Sequence, residues 1–110
     1  MPLPSEEWVT VALRADLPAG GMLAVKFGGY DIALYDLAGE VFATDNLCTH
    51  AHAYLSDGTL KDGIIECPLH GGRFEVRTGK GLGPPIPCDL KTYPARVEGA
   101  EIQLRLENVF

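Results

Sequence analysis

The stretches Cys48-Thr49-His50-Ala51-His52 and Cys67-Pro68-Leu69-His70 hold two of the three cysteines and all three histidines of the chain. The first contains a C-x-H spacing and the second a C-x-x-H spacing, with sixteen residues between His50 and Cys67. Neither stretch can surround a metal alone, so two such loops folded against each other predict one pocket with four ligands. Because this pocket forms only in the folded chain, metal binding is expected to stabilise the fold.

Two kinds of metal centre suit two thiolates and two imidazoles. Tetrahedral zinc accepts this ligand set, but its usual spacings pair Cys with Cys and His with His. A two-iron, two-sulfide cluster accepts the same set when two His replace two Cys on one iron. Each half of this motif mixes the two residue types, which favours the cluster and leaves zinc as the alternative.

The two-part motif resembles that of the Rieske family. Cys48, His50, Cys67 and His70 occupy the family's ligand positions, and the resemblance implies one [2Fe-2S] cluster with both Cys on one iron and both His on the other. His52 is then expected to be a loop residue near the cluster. The likeness covers nearly the whole chain, including Gly71-Gly72-Arg73-Phe74 after the second motif. Within the family, the sequence is most similar to the small ferredoxins of bacterial aromatic-ring-hydroxylating dioxygenase systems.

The resemblance implies an electron carrier rather than an enzyme. Such a ferredoxin takes single electrons from an NAD(P)H-dependent flavin reductase and passes them to the Rieske centre of a terminal oxygenase. It is expected to dock both partners through the surface around His50 and His70. The alternative is a small Rieske subunit of a nitrite-reductase-type or other reductase complex. A terminal oxygenase is disfavoured, because its mononuclear iron typically needs two further His and a carboxylate, and only His52 remains.

The ligand set and its surroundings predict a low reduction potential within the Rieske range. Two ferric ions, two sulfides, two thiolates and two neutral imidazoles sum to zero charge, so an electron is accepted more easily than by an all-Cys cluster. Rieske centres accordingly span roughly −150 to +300 mV, against about −400 mV for plant-type ferredoxins. In high-potential members, Ser and Tyr hydroxyls donate to cluster sulfurs, and a disulfide joins the loops. The resemblance places Gly72, Phe74, Ala53 and Leu69 at those positions, so all these features are absent.

Short strands with alternating apolar residues dominate the rest of the chain, and no window carries an amphipathic helix. Gly28-Gly29 predicts a tight hairpin, and Pro94 indicates an edge strand or a bulge. The pattern predicts an all-β fold, and the resemblance implies a Rieske-like antiparallel β-sandwich or barrel. Strands are expected over residues 8–13, 22–27, 30–35, 41–44, 93–97 and 102–106, with a short strand-like piece over 63–66.

The chain is expected to be a single domain over 1–110. A β core formed by 1–44 and 84–110 carries an inserted cluster-binding subdomain over about 45–83, where Gly and loop residues concentrate. Trp8 and Phe42 are expected in the hydrophobic core. Cys88 is expected to be a free, buried thiol, because the motif gives it no ligand role.

Composition excludes several classes of function. Nine Lys and Arg against fifteen Asp and Glu give a net charge of −6, which argues against a nucleic-acid binder. The acidic surface suits a partner with a basic patch, or serves solubility alone. No apolar run is long enough to cross a bilayer, and the N-terminus is neither a signal nor a transit peptide. A cytoplasmic monomer without a membrane partner is therefore expected.

Overall fold

The computed structural model describes residues 8–48, 53–69, 71–83 and 89–106. These residues form ten β-strands and two single-turn 3-10 helices, Arg14–Asp16 and Leu55–Asp57. No helix within the described ranges has the length and apolar character needed to span a membrane. The strands are β1 (Trp8–Leu13), β2 (Met22–Phe27), β3 (Tyr30–Leu37), β4 (Glu40–Asp45), β5 (Thr59–Lys61), β6 (Ile64–Glu66), β7 (Arg73–Glu75), β8 (Thr92–Tyr93), β9 (Ala95–Glu98) and β10 (Glu101–Arg105).

The strands form three antiparallel sheets, which confirms the expected all-β fold. Sheet A has the order β1-β10-β9, sheet B the order β2-β3-β4-β8, and sheet C the order β5-β6-β7. The β2–β3 hairpin turns through Gly28-Gly29 as predicted, with Phe27 paired to Tyr30. Sheet C lies within residues 45–83, the segment in which the sequence concentrates its metal-binding residues.

Strand β3 is buried on both faces and joins two hydrophobic cores. Successive side chains of a strand point to opposite faces, so its even and odd residues meet different neighbours. Ile32 and Leu34 belong to a core shared with sheet A, whereas Ala33 and Tyr35 belong to a core shared with sheet C. The continuous apolar run in this strand follows from that double burial. The sheet A core holds Leu17, Ile32, Leu34, Val41, Ala43, Tyr93, Ile102, Leu104 and Leu106.

A partly buried ion pair connects sheet B to the residue that follows β1. Asp36 is buried in β3 and pairs with the guanidinium of Arg14. The Gly39 N–H also donates to Asp36 Oδ1 at 2.9 Å, and this bond, together with Arg14, holds the pKa of Asp36 below its ordinary value. Strand β3 therefore continues to Leu37, two residues beyond the predicted end, because its one charged residue there has partners inside the protein.

Three further sequence expectations have different outcomes. The single strand expected over 93–97 is wrong, because Pro94 divides it into β8 of sheet B and β9 of sheet A. Both short strands lie at the edge of their sheets, which agrees with the edge position predicted for Pro94. The expectation that Trp8 lies in the core is wrong. Trp8 is only partly buried, and the guanidiniums of Arg96 and Arg105 lie 4.4 and 5.6 Å from its ring centroid. The ring serves as a cation–π surface on sheet A rather than as core packing.

Candidate metal centre

Cys48 lies at the start of the first loop, and the chain segments on either side of this loop pair with each other. The Cys48 N–H donates to the Ala53 carbonyl at 2.9 Å, and Leu47 forms an isolated antiparallel bridge with Tyr54. The Leu55 N–H donates to the carbonyl of Asn46 at 2.7 Å, which closes the same ladder one step earlier. The backbone on both sides of residues 49–52 is therefore fixed by hydrogen bonds.

The second cysteine follows β6 directly. The Cys67 N–H donates to the Gly72 carbonyl at 2.7 Å, which brings the two ends of the second loop together. Gly71 has φ +69°, a conformation that a residue with a Cβ rarely adopts. Strand β7 begins at Arg73 and pairs with β6, so the two ends of this loop are held in register by sheet C.

The two loops bring their thiols together in the interior. Cys48 is 4% exposed and Cys67 is 1% exposed, and the two thiols share a hydrogen bond. Burial raises the pKa of Cys67, the Leu69 N–H that donates to its sulfur opposes this rise, and the neighbouring Cys48 adds to it. The two cysteines of the motif thus lie side by side, as ligands of one iron must.

The surroundings of the thiols suit an iron–sulfur cluster. Both cysteines belong to the core between β3 and sheet C, in which apolar side chains exclude water. An adjacent, shielded thiol pair with a backbone N–H on one sulfur fits the Cys half of such a cluster. A bound cluster of this type supplies one reversible one-electron step. The other buried members of this core are Ala33, Tyr35, Leu37, Leu55, Ile65, Phe74, Val76 and Leu90.

The family model of the Rieske [2Fe-2S] domain matches residues 7–94, four fifths of the chain. The chain belongs to the Rieske family. As a member of that family it carries one Rieske [2Fe-2S] cluster. The thiol pair at Cys48 and Cys67 falls within the matched residues.

Similar proteins indicate which members of the Rieske family this chain resembles. The chain is 48% identical to a ferredoxin component of naphthalene 1,2-dioxygenase/salicylate 5-hydroxylase systems from Ralstonia sp, over 94% of this chain and 99% of that relative. A ferredoxin structure from Sphingomonas yanoikuyae B1 superimposes with a TM-score of 0.85 at 38% identity, over 91% of this chain and 99% of that one. A complex of reduced oxygenase and oxidized ferredoxin in carbazole 1,9a-dioxygenase matches with a TM-score of 0.82 at 34% identity, over 89% of this chain and 92% of that one.

Several residues singled out by sequence lie outside the described ranges. These are His50 and His52 in the first loop, His70 in the second, and Cys88. Their assigned roles therefore stay predictions. The positions that bear on the potential are described. Phe74 is fully buried in the same core as both thiols, whereas Leu69 is exposed.

Sequence reasoning missed one buried polar residue near the thiols. Asn46 is buried beside Cys48, and both polar atoms of its side chain bond Ser56. A lone Asn ahead of a Cys carries little signal, because its partner stands ten residues later in a polar loop.

Proposed function

We propose that this chain is a Rieske ferredoxin that carries single electrons from an NAD(P)H-dependent flavin reductase to the terminal oxygenase of an aromatic-ring-hydroxylating dioxygenase system. The observation that carries the proposal is the 48% identity to a dioxygenase ferredoxin component over 99% of its length. That match favours the dioxygenase system over a nitrite-reductase-type complex. The chain is an electron-transfer component and catalyses no bond making of its own.

The four cluster ligands in this proposal are Cys48 and Cys67 on one iron and His50 and His70 on the other. The shared hydrogen bond between the buried thiols supports the Cys half. The His half is supported by the motif, because His50 and His70 follow the two cysteines at the spacing of the family. Residues 45–83 would then act as the cluster-binding subdomain.

The surface beside these ligands is suited to brief docking of an oxygenase. Leu47, Tyr54 and Leu69 are between 44% and 47% exposed, although they are large and apolar. Leu47 pairs with Tyr54 at the first loop, and the Leu69 N–H contacts the sulfur of Cys67 at the second. Large exposed apolar side chains on two loops whose cysteines are in contact suit an interaction site. We call these three side chains the docking patch.

The docking patch is assigned to the terminal oxygenase. A related ferredoxin binds the oxygenase of its own system in a complex, which is the precedent for this partner. An interface that must form and separate for every electron is expected to be small, below about 1,200 Å² of total buried area. The reductase is proposed to use the same surface in turn, and the ferredoxin is proposed to act as a monomer.

A reconstituted electron-transfer assay tests the function. The purified chain is mixed with NADH, a flavin-dependent ferredoxin reductase and the oxygenase of a naphthalene-type dioxygenase system, and product formation is followed. Product that depends on this chain supports the proposal. If adding the chain does not increase product formation with any of several oxygenases, the carrier function is refuted.

A further inference from the structure

The side chain of Asn46 occupies a buried position at the base of the first cysteine loop. It is 2% exposed, one residue before Leu47 and two before Cys48. A carboxamide buried away from water must place its donor and acceptor on protein partners, or its burial is costly. The identity of those partners therefore indicates what the side chain does.

Within the described part of the chain, the Asn46 side chain makes two hydrogen bonds, and both are to Ser56. The Ser56 N–H donates to Asn46 Oδ1 at 2.8 Å, and Asn46 Nδ2 donates to Ser56 Oγ at 3.0 Å. Ser56 lies in the 3-10 turn Leu55–Asp57, which follows residues 49–52 in the sequence. One side chain thus joins the segment that enters the loop to the segment that leaves it.

The backbone of Asn46 connects the same point to the central sheet. Its N–H donates to the carbonyl of Asp31, a residue of β3, at 2.8 Å. Its carbonyl accepts the Leu55 N–H at 2.7 Å. Since all four polar groups of Asn46 are used, the loop base is fixed both to itself and to sheet B.

We infer that Asn46 is a positioning residue of the iron–sulfur centre. Its bidentate contact with Ser56 closes the loop that carries Cys48, and its backbone fixes that loop relative to β3. Cys48 is thereby kept beside Cys67, where the two sulfurs would hold the cluster together. This inference rests on the proposed function, because it requires Cys48 to be a cluster ligand.

Asparagine is suited to this task for a simple chemical reason. The site needs an acceptor for the Ser56 N–H and a donor for Ser56 Oγ at the same distance from one backbone position. A carboxamide supplies both, whereas Leu, which has a similar volume, supplies neither. Partners that orient metal ligands in this indirect way typically change metal affinity or activity by about 10–100-fold when removed.

The test compares three variants of the cluster-loaded protein. Asn46→Leu removes both contacts with Ser56, and Ser56→Ala removes only the Nδ2 contact. Thr44→Val is the matched control, because Thr44 is buried in the same stretch of chain and its hydroxyl bonds the Tyr35 hydroxyl at 2.8 Å. The measurements are the rate of cluster release at fixed temperature, the electron paramagnetic resonance spectrum of the reduced cluster, and amide hydrogen exchange at Cys48 and Ser56.

The expected results separate positioning from general destabilisation. Asn46→Leu releases its cluster about tenfold faster than wild type, with shifted or broadened resonance lines and faster exchange at both amides. Ser56→Ala shows a smaller change in the same direction. Thr44→Val is less stable to unfolding but keeps the wild-type spectrum and loop exchange.

Two results would overturn the inference. One is a wild-type spectrum and unchanged loop exchange in Asn46→Leu, with release accelerated no more than in Thr44→Val. The other, should Asn46→Leu not fold, is a Ser56→Ala protein identical to wild type in all three measurements. A wild-type chain that holds no Rieske cluster would instead refute the proposed function. In that case, amide hydrogen exchange in Asn46→Leu still tests whether Asn46 closes the loop.

Discussion

The thiol of Cys48 hydrogen-bonds the thiol of Cys67 inside the core between β3 and sheet C. The two residues come from separate loops, one closed on Ala53 and the other on Gly72. This contact brings the two halves of the motif together, and both sulfurs are buried away from water. The histidine of each motif follows its cysteine by two or three residues in the sequence.

Phe74→Tyr is expected to raise the midpoint potential of the cluster. Phe74 is fully buried in the core of both thiols, and the resemblance places a sulfur-bonding Tyr at this position in high-potential members. A new hydrogen bond worth about 1 kcal/mol to the reduced cluster corresponds to roughly 40 mV for one electron. Protein-film voltammetry measures the shift.

The control for this prediction is Phe42→Tyr. Phe42 packs against the same core but is only partly buried, and the guanidinium of Arg77 lies 5.1 Å from its ring centroid. The added hydroxyl can reach solvent there, so the potential should not move. Equal shifts in both variants, or none in Phe74→Tyr, would show that position 74 does not control the cluster.

Replacing residues of the docking patch is expected to slow electron transfer to the oxygenase. Tyr54→Ser and Leu69→Ser each remove an exposed apolar contact, and losses at such contacts are often 1–2 kcal/mol, or about tenfold in rate at low concentration. Stopped-flow oxidation of the reduced ferredoxin by excess oxygenase measures the effect. The midpoint potential of each variant should stay at its wild-type value.

Leu13→Ser is the matched control for docking. Leu13 is similarly large and exposed, but it lies at the end of β1 in sheet A. It should transfer electrons at the wild-type rate. A uniform loss in all three variants would assign the effect to general surface hydrophobicity rather than to the docking patch.

The Asp36–Arg14 pair predicts a specific loss of stability in acid. The pKa of Asp36 is lower in the folded protein than in the unfolded chain, because Gly39 and Arg14 favour its charged form. Its contribution is therefore fully present above the unfolded pKa, which is about 3.9, and is lost as the pH falls through the folded pKa. Asp36→Asn should lower stability at pH 7 and should lose less further stability than wild type on acidification.

Urea unfolding at pH 7 and at several values below pH 4 measures this difference. Asp16→Asn is a suitable control, because Asp16 is an exposed carboxylate in the neighbouring 3-10 turn. It should follow the wild-type profile. Parallel acid profiles for Asp36→Asn and wild type would show that Asp36 has the same pKa in both states.

Ala38→Asn is expected to stabilise the β3–β4 hairpin. Ala38 has φ +55° and is followed by Gly39 at φ +90°, a conformation that Asn-Gly adopts far more readily than Ala-Gly. Relief of part of the left-handed penalty should add about 0.5–1 kcal/mol to the free energy of unfolding. Ala100→Asn is the control, because in the Gly99-Ala100 turn Gly99 takes the positive φ. Equal effects of the two changes would rule out backbone conformation as the cause.

The sequence predicts well those parts of the fold that depend on local pattern. Strands β1 and β2 begin and end where alternation and turn residues place them, and the Gly28-Gly29 hairpin forms in the expected register. Strands β5 and β7 were not predicted, because each has three residues and a single apolar side chain that faces inward. Such short strands are specified by their pairing with β6 rather than by their own sequence.

What the sequence could not predict depends on contacts between distant residues. Trp8 was expected in the core on hydrophobicity alone, but its position opposite Arg105 across β1 and β10 makes a cation–π contact available. Asn46 was overlooked because its role arises from Ser56, which only the folded loop brings near. The proximity of Cys48 and Cys67 was predictable because metal chemistry restricts both residue type and spacing, so a short motif carries long-range information.

The most direct test of the central claim is electron paramagnetic resonance of the dithionite-reduced chain, combined with iron and sulfide analysis. The account predicts two irons and two sulfides per chain and a rhombic Rieske-type spectrum, both lost in Cys48→Ser and Cys67→Ser and both retained in Cys88→Ser. A folded chain that binds no iron, or a spectrum unchanged by replacing Cys48 and Cys67, would contradict it.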